Sequence, residues 1–120
     1  MTPYEELKGL SKDVVAAAWQ QQCGHCRAVQ ERVLLDILAR AKDTEIGRRF
    51  HFDQIKSIAD YQRQVPVMEY GDFQAAITAM ADGQSDVLFS GVPKLFLQTS
   101  GTTGQPKLVP ESFLGSEVRY

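Results

Sequence analysis

Cysteine is scarce in this chain: two residues in 120, both inside the stretch Cys23-Gly24-His25-Cys26. Two thiols three positions apart make no disulfide framework, and their scarcity fits a reducing compartment where thiols stay free. Long apolar runs are missing too. The longest, Val14 to Trp19, falls far short of the roughly 20 residues a membrane span requires, and Glu5 and Glu6 stand where a signal sequence would carry basic residues. These absences predict a soluble, cytoplasmic protein with no membrane partner. Neither sign of charge is in excess, since 13 Lys and Arg against 15 Asp and Glu leave a formal charge of −2. That balance lacks the electrostatic footprint of a nucleic-acid binder, so an anionic ligand would need a local site. Histidine occurs only at His25, inside the C-x-x-C, and at the distant His51, so the motif falls short of the four ligands that a structural zinc needs together and no metal site is expected.

What is present suits one soluble domain: 43% hydrophobic and 23% charged residues. A compact domain of this size buries roughly two-thirds of the surface its unfolded chain exposes, enough for one modest core if the domain is complete. No internal repeat or low-complexity segment occurs. Glycine and proline are unevenly placed, with only Gly47 between Ala28 and Gln64 and many from Val65 to Gly115. The chain therefore divides into a lead over 1–12, a helical region over 13–83 and a strand-and-loop region over 84–120. The expected class is α/β, a mainly helical first half followed by strand, loop and strand.

From Asp13 to Lys42 good helix formers dominate, and Val29, Val33, Leu34, Ile37, Leu38 and Ala41 recur at the spacing of one core-facing stripe. Gly24 interrupts that pattern at a cost of about 1 kcal/mol relative to Ala, which predicts two helices meeting near Cys23. Asp53 is the expected N-cap of a helix carrying Ile55, Ile58 and Ala59 that ends before Pro66. Val65-Pro66-Val67 should cross in extended conformation, because proline disfavours helix at the residue before it. Asp72 is the expected cap of a further helix with Phe73, Ile77 and Met80 inward, terminated at Gly83. Tyr61, Tyr70 and Phe73 are expected in the core. Lys94 to Thr99 has the apolar and aromatic content of a buried parallel strand, and Lys107 to Val109 suits a second short one.

Between those strands lies the densest turn cluster of the chain, Thr99-Ser100-Gly101-Thr102-Thr103-Gly104-Gln105-Pro106-Lys107. Such a loop suits a polyphosphate: glycines let backbone N–H groups approach phosphate oxygens, hydroxyls donate further bonds, and a lysine adds a compact positive charge. The ordinary phosphate loop, G-x-x-x-x-G-K-[ST], is not matched, since Gly101 and Gly104 are too close and Pro106 precedes Lys107. A plain polar surface turn is the alternative.

Ser100 to Lys107 resembles, over eight consecutive positions, the phosphate-binding signature of the adenylate-forming enzymes. Most of those enzymes place glycine after the lysine, whereas this chain continues Lys107-Leu108-Val109-Pro110. That departure, with Thr44-Glu45-Ile46-Gly47-Arg48-Arg49-Phe50, then Phe52, Ile55, Ser57, Tyr61, Val65-Pro66-Val67 and Tyr70, resembles the auxin-responsive acyl-acid amido synthetases, the Gretchen Hagen family. The likeness runs from about Gln22 to Ser112.

The resemblance implies a two-step ligase. A carboxylic acid attacks ATP to give an acyl-adenylate and pyrophosphate, and an amino-acid amine then displaces AMP. It implies that Ser100, Gly101, Thr102, Thr103 and Gly104 contact the ATP phosphates and that Lys107 supplies charge beside them, with Mg2+ as a second cofactor. No catalytic residue can be named. In the family, adenine recognition, metal coordination, the acyl pocket and a mobile C-terminal domain come from sequence downstream of the loop. The chain is thus expected to be one partial domain over 1–120, the N-terminal portion of the large domain and about a quarter of a full-length member. It would be inactive alone, with a separately encoded remainder as a candidate partner. Two other readings remain: an acyl-CoA synthetase or adenylation-domain fragment, and a non-catalytic remnant or interaction module.

Two further signals carry less. Cys23-Gly24-His25-Cys26 has the spacing of a thiol–disulfide oxidoreductase, but a thioredoxin-like site needs a strand leading into it, and Val14 to Gln22 is helix-like. His51, between Phe50 and Phe52, is assigned no role.

Overall fold

The computed structural model describes residues 8–102 and 104–113. Its first two elements are α1 (Lys12–Cys23) and α2 (Cys26–Ala41), separated at Gly24 and His25 as the glycine predicts. Ser11 starts α1 by accepting the Val14 N–H at 3.3 Å. The two helices are unequally packed. No residue of α1 is buried and Trp19 is 69% exposed, while α2 buries only Leu38 and Ala41 near its end. The expected core stripe of α2 is thus too long: Val33 and Ile37 are exposed and Val29 and Leu34 half-buried. The residues that α2 buries lie in its last turns, where the Ser90 hydroxyl donates to the Arg40 carbonyl at 2.8 Å.

The tightest packing follows at α3 (Glu45–Arg49). Thr44, fully buried, donates its hydroxyl to the Ala41 carbonyl at 2.6 Å and accepts the Gly47 N–H at 3.1 Å. The Glu45 and Ile46 N–H groups, orphans of this first turn, bond the Asp86 and Val87 carbonyls at 2.8 and 3.1 Å. After left-handed His51 a 3-10 turn, Phe52–Gln54, leads to α4 (Ile58–Gln64). Asp53 is therefore not the cap that the sequence suggests. Ser57 takes that place, accepting the Asp60 N–H at 3.1 Å, and the Asp60 carboxylate accepts the Lys56 N–H at 3.0 Å. The Ile58 N–H is satisfied from α2, by the Glu31 carboxylate at 3.0 Å.

A second 3-10 turn, Tyr70–Phe73, runs into α5 (Gln74–Ala81). Here Glu69 is the cap, and Asp72 lies three residues on, accepting the Glu69 N–H at 2.8 Å. Asp72 thus completes a reciprocal box and does not cap the helix itself. Ile77 and Met80 are buried, Phe73 is half-buried, and Gly83 ends the helix at φ +95°. Leu38, Ala41, Ile55, Ile77, Met80 and Val87 form the core around Thr44. Tyr61 and Tyr70 stand at its margin, half-buried.

The chain closes with β1 (Leu95–Gln98) and β2 (Leu108–Glu111), an antiparallel pair in the register Leu95↔Glu111, Phe96↔Pro110, Leu97↔Val109 and Gln98↔Leu108. The helical first half followed by strand, loop and strand is as expected, but the buried parallel strand is not. Leu95, Leu97 and Val109 are 40%, 43% and 45% exposed, in a sheet that among the described residues has only these two strands.

Candidate functional site

The hairpin presents the Ser/Thr/Gly loop at its tip. Its base is closed by two bonds between Thr99 and Lys107: the Thr99 N–H donates to the Lys107 carbonyl at 2.9 Å, and the Lys107 N–H to the Thr99 hydroxyl at 2.9 Å. Inside the loop the Gly104 N–H reaches the Gly101 carbonyl at 3.3 Å. The two glycines do different work. Gly101 sits at φ +65°, and a Cβ there would lie 2.9 Å from Pro106 Cγ and 3.0 Å from the Gly104 carbonyl oxygen. A Cβ on Gly104 would meet nothing within 4 Å, so its bare backbone faces open space from which another group can approach.

Ser100, Thr102, Gly104 and Lys107 are exposed and Gly101 is half-buried. The hairpin thus gathers five of the six expected site residues on one turn; Thr103 lies outside the described residues. No acidic residue occurs between Thr99 and Lys107. The loop can therefore offer hydroxyls, backbone amides and one ammonium to an anion with no opposing carboxylate in its own sequence.

One neighbour of the site was missed by sequence reasoning. The Tyr70 hydroxyl donates to the Leu108 carbonyl at 2.9 Å and accepts the Leu108 N–H at 3.0 Å, while Lys107 Nζ stands 5.3 Å from the centre of the Tyr70 ring. Thirty-eight residues separate Tyr70 from Leu108, so no spacing rule links them.

Among the described residues no three His, Cys, Asp or Glu side chains converge as metal ligands. Cys23 ends α1 and Cys26 begins α2; both thiols are exposed and free, and Cys26 Sγ donates to the Cys23 carbonyl at 3.0 Å. A helix leads into the pair where a thioredoxin-like site would have a strand. No described helix is long and apolar enough to cross a membrane.

Residues 16–113 match the GH3 family N-terminal domain, a span that takes in the Thr44 to Tyr70 stretch and the whole loop. The chain belongs to the GH3 family. The GH3 chain is 40% identical over 84 residues to a probable indole-3-acetic acid-amido synthetase, GH3.1, of Arabidopsis thaliana, covering 68% of its own length and 14% of that protein. A probable indole-3-acetic acid-amido synthetase of Oryza sativa subsp. japonica, GH3.13, is 39% identical over 93 residues, 69% of the GH3 chain and 20% of the relative. The indole-3-acetic acid-amido synthetase GH3.2 of Arabidopsis thaliana is 34% identical over 102 residues, with shares of 82% and 19%. The GH3 chain thus spans a fifth or less of the length of these relatives, below the quarter expected.

Proposed function

We propose that this GH3 chain is the ATP-phosphate-binding segment of an acyl-acid amido synthetase, a ligase that adenylates a carboxylic acid and conjugates it to an amino acid. The observation that carries the reading is the acid-free hairpin loop, pinched at Thr99 and Lys107 and open at Gly104, in a chain related to amido synthetases. Attack of a carboxylate on the α-phosphate brings anions together, and repulsion dominates unless donors fixed in advance offset it. Ser100, Thr102 and Thr103 would supply hydroxyl donors, Gly101 an amide donor, Gly104 the open backbone that lets a phosphate approach, and Lys107 the positive charge. ATP then breaks at the α–β phosphoanhydride, pyrophosphate leaves, and an amino-acid amine displaces AMP to form the amide. Mg2+ would offset further phosphate charge when bound, with its ligands supplied by the remainder of the enzyme, since the described residues hold no ligand set for it. The acyl and amino-acid pockets belong to the remainder of the enzyme, whether on the same polypeptide or on a partner chain. The compartment proposed is the cytoplasm, where the exposed Cys23 and Cys26 stay reduced.

The test is a titration of the isotope-labelled chain with ATP, followed through its backbone amide signals. Saturable shifts of Gly101, Thr102 and Gly104, and about a tenfold weaker response in Lys107→Ala, are expected; a tenfold loss corresponds to about 1.4 kcal/mol. A flat titration, or shifts remote from the loop, refutes the reading. Carboxylic-acid-dependent exchange of pyrophosphate into ATP should be absent from the purified chain, and turnover by it would show that the segment is sufficient.

A further inference from the structure

Leu108 is the first residue of β2 and sits where the loop rejoins the sheet. The bond from the Thr99 N–H to the Lys107 carbonyl makes Thr99 and Lys107 a hydrogen-bonded pair, so the adjoining pair Gln98↔Leu108 is of the other kind. The N–H and C=O of Leu108 therefore point away from β1, toward an edge where no third strand lies among the described residues. The Tyr70 hydroxyl meets both at 2.9 and 3.0 Å, acting toward Leu108 as a paired strand residue would. The same side chain turns its ring under the preceding residue, with Lys107 Nζ 5.3 Å from the centroid. One tyrosine thus fixes the exit of the loop through its oxygen and the loop's cation through its ring.

We infer that Tyr70 is a positioning residue of the phosphate loop: by clasping Leu108 and holding the Lys107 ammonium on its ring, it presets Lys107 for a polyphosphate. This rests on the phosphate-binding reading above and assigns a role outside the Ser100–Lys107 motif. Presetting has a physical use. A free lysine side chain loses rotamer entropy when a ligand fixes it, and part of that loss is incurred before the ligand arrives when an aromatic face already confines the ammonium. The tyrosine is itself set by the Glu69–Asp72 box that begins its 3-10 turn, so its position derives from the helical part of the chain.

The experiment is a double-mutant cycle on the whole 120-residue chain, with inorganic tripolyphosphate as the probe and the Gly101 and Gly104 amide shifts as the readout. Lys107→Met and Tyr70→Leu should each weaken binding about tenfold, and the double variant should be no weaker than either, because Tyr70 acts through Lys107. Tyr70→Phe keeps the ring and deletes both hydrogen bonds. It should speed hydrogen exchange at the Leu108 amide at least tenfold and lower affinity by a smaller, several-fold factor. It also serves as the test if Tyr70→Leu does not fold. Losses that multiply in the double variant mean that Tyr70 supports the fold and not Lys107, and overturn the inference. Unchanged affinity and unchanged Leu108 exchange in Tyr70→Phe overturn it as well. Both results leave the phosphate reading standing if the wild-type chain still binds. Absence of saturable binding by the wild-type chain refutes the phosphate reading and the role given to Tyr70 with it.

Discussion

Gly47→Ala tests the packing that holds α3 against the end of α2. A Cβ at this position would lie 2.0 Å from the Ala41 carbonyl oxygen and 2.8 Å from the carbonyl carbon and oxygen of Lys42. All three obstacles are backbone atoms, so no rotamer change relieves them and the two helices must separate by about 1.4 Å or more to reach ordinary contact. That movement pulls the Thr44 hydroxyl from the Ala41 carbonyl, now 2.6 Å away, and strains the Glu45 and Ile46 bonds to Asp86 and Val87. Overpacking of this kind costs about 1–3 kcal/mol, and a weakened buried hydrogen bond adds about 1 kcal/mol. Alanine's better helix propensity returns somewhat under 1 kcal/mol. The net destabilisation is about 1–3 kcal/mol, and at roughly 4 °C per kcal/mol for a chain of this size the melting temperature should fall by about 4–12 °C.

The assay is thermal unfolding followed by far-ultraviolet circular dichroism, with Gly71→Ala as the control. Gly71 has ordinary backbone angles and nothing within 4 Å of its would-be Cβ, so its replacement should be close to neutral. If Gly47→Ala melts within about 2 °C of the wild type, the close approach of Ala41 to Gly47 is not what holds these elements together. Equal losses in the two variants would also refute the reasoning, since they would reflect the removal of glycine and not the clash.

Three further perturbations separate the other interactions. Thr44→Val keeps the shape but strands the Gly47 N–H, and should cost about 1–3 kcal/mol in urea unfolding, with Thr44→Ser recovering most of it; equal stability of Val and Ser variants would exclude the hydroxyl. The Lys56 N–H donating to Asp60, helped by Ser57 and the Arg63 guanidinium against some desolvation, holds the Asp60 carboxyl below its ordinary value of 3.8. A depressed carboxylate pKa gives stability that is present above 3.8 and lost as pH falls through the folded-state value, so Asp60→Asn should flatten the acid limb of the melting-temperature profile; an unchanged limb refutes it. Gly101→Ala, at φ +65° and against Pro106, should leave the helical melt nearly unchanged yet speed hydrogen exchange at Gly104, with unaltered exchange arguing against a strained loop.

Local chemistry made much of this fold legible. The helix stop before Pro66 and the turn at Gly83 each depend on one residue's backbone preference and occur where that preference puts them; the break expected at Gly24 is there too, although Gly24 keeps helical angles and His25 is the residue that leaves them. Errors arose where a choice depends on a distant partner. Asp53 and Ser57 are both good caps by type, but the Glu31 carboxylate on α2 satisfies the Ile58 N–H, and with Ser57 capping, the helix begins there. Asp72 marks a helix start by its type, yet the reciprocal bond to Glu69 assigns it the interior place in the box. Periodicity marked Val33 and Ile37 as core because it registers an apolar stripe, not where along the helix the rest of the chain makes contact.

The loop shows the same division between what is local and what is not. Its order of hydroxyls, glycines and lysine is contiguous, so the sequence alone pointed to a phosphate ligand; the conformations of Gly101 and Gly104 then give each glycine a separate reason to be there. Tyr70 has no such local mark. Its character as an aromatic residue near a helix start suggested the core, and only the path of the chain brings its hydroxyl to the open edge of β2. An edge residue whose N–H and C=O face away from its partner strand needs another source of hydrogen bonds, and at Leu108 a single side chain provides both. Through it the loop is tied at one end to the hairpin and at the other to the turn that starts α5. Displacing that turn should therefore move Lys107 even though no residue between Thr99 and Lys107 has changed.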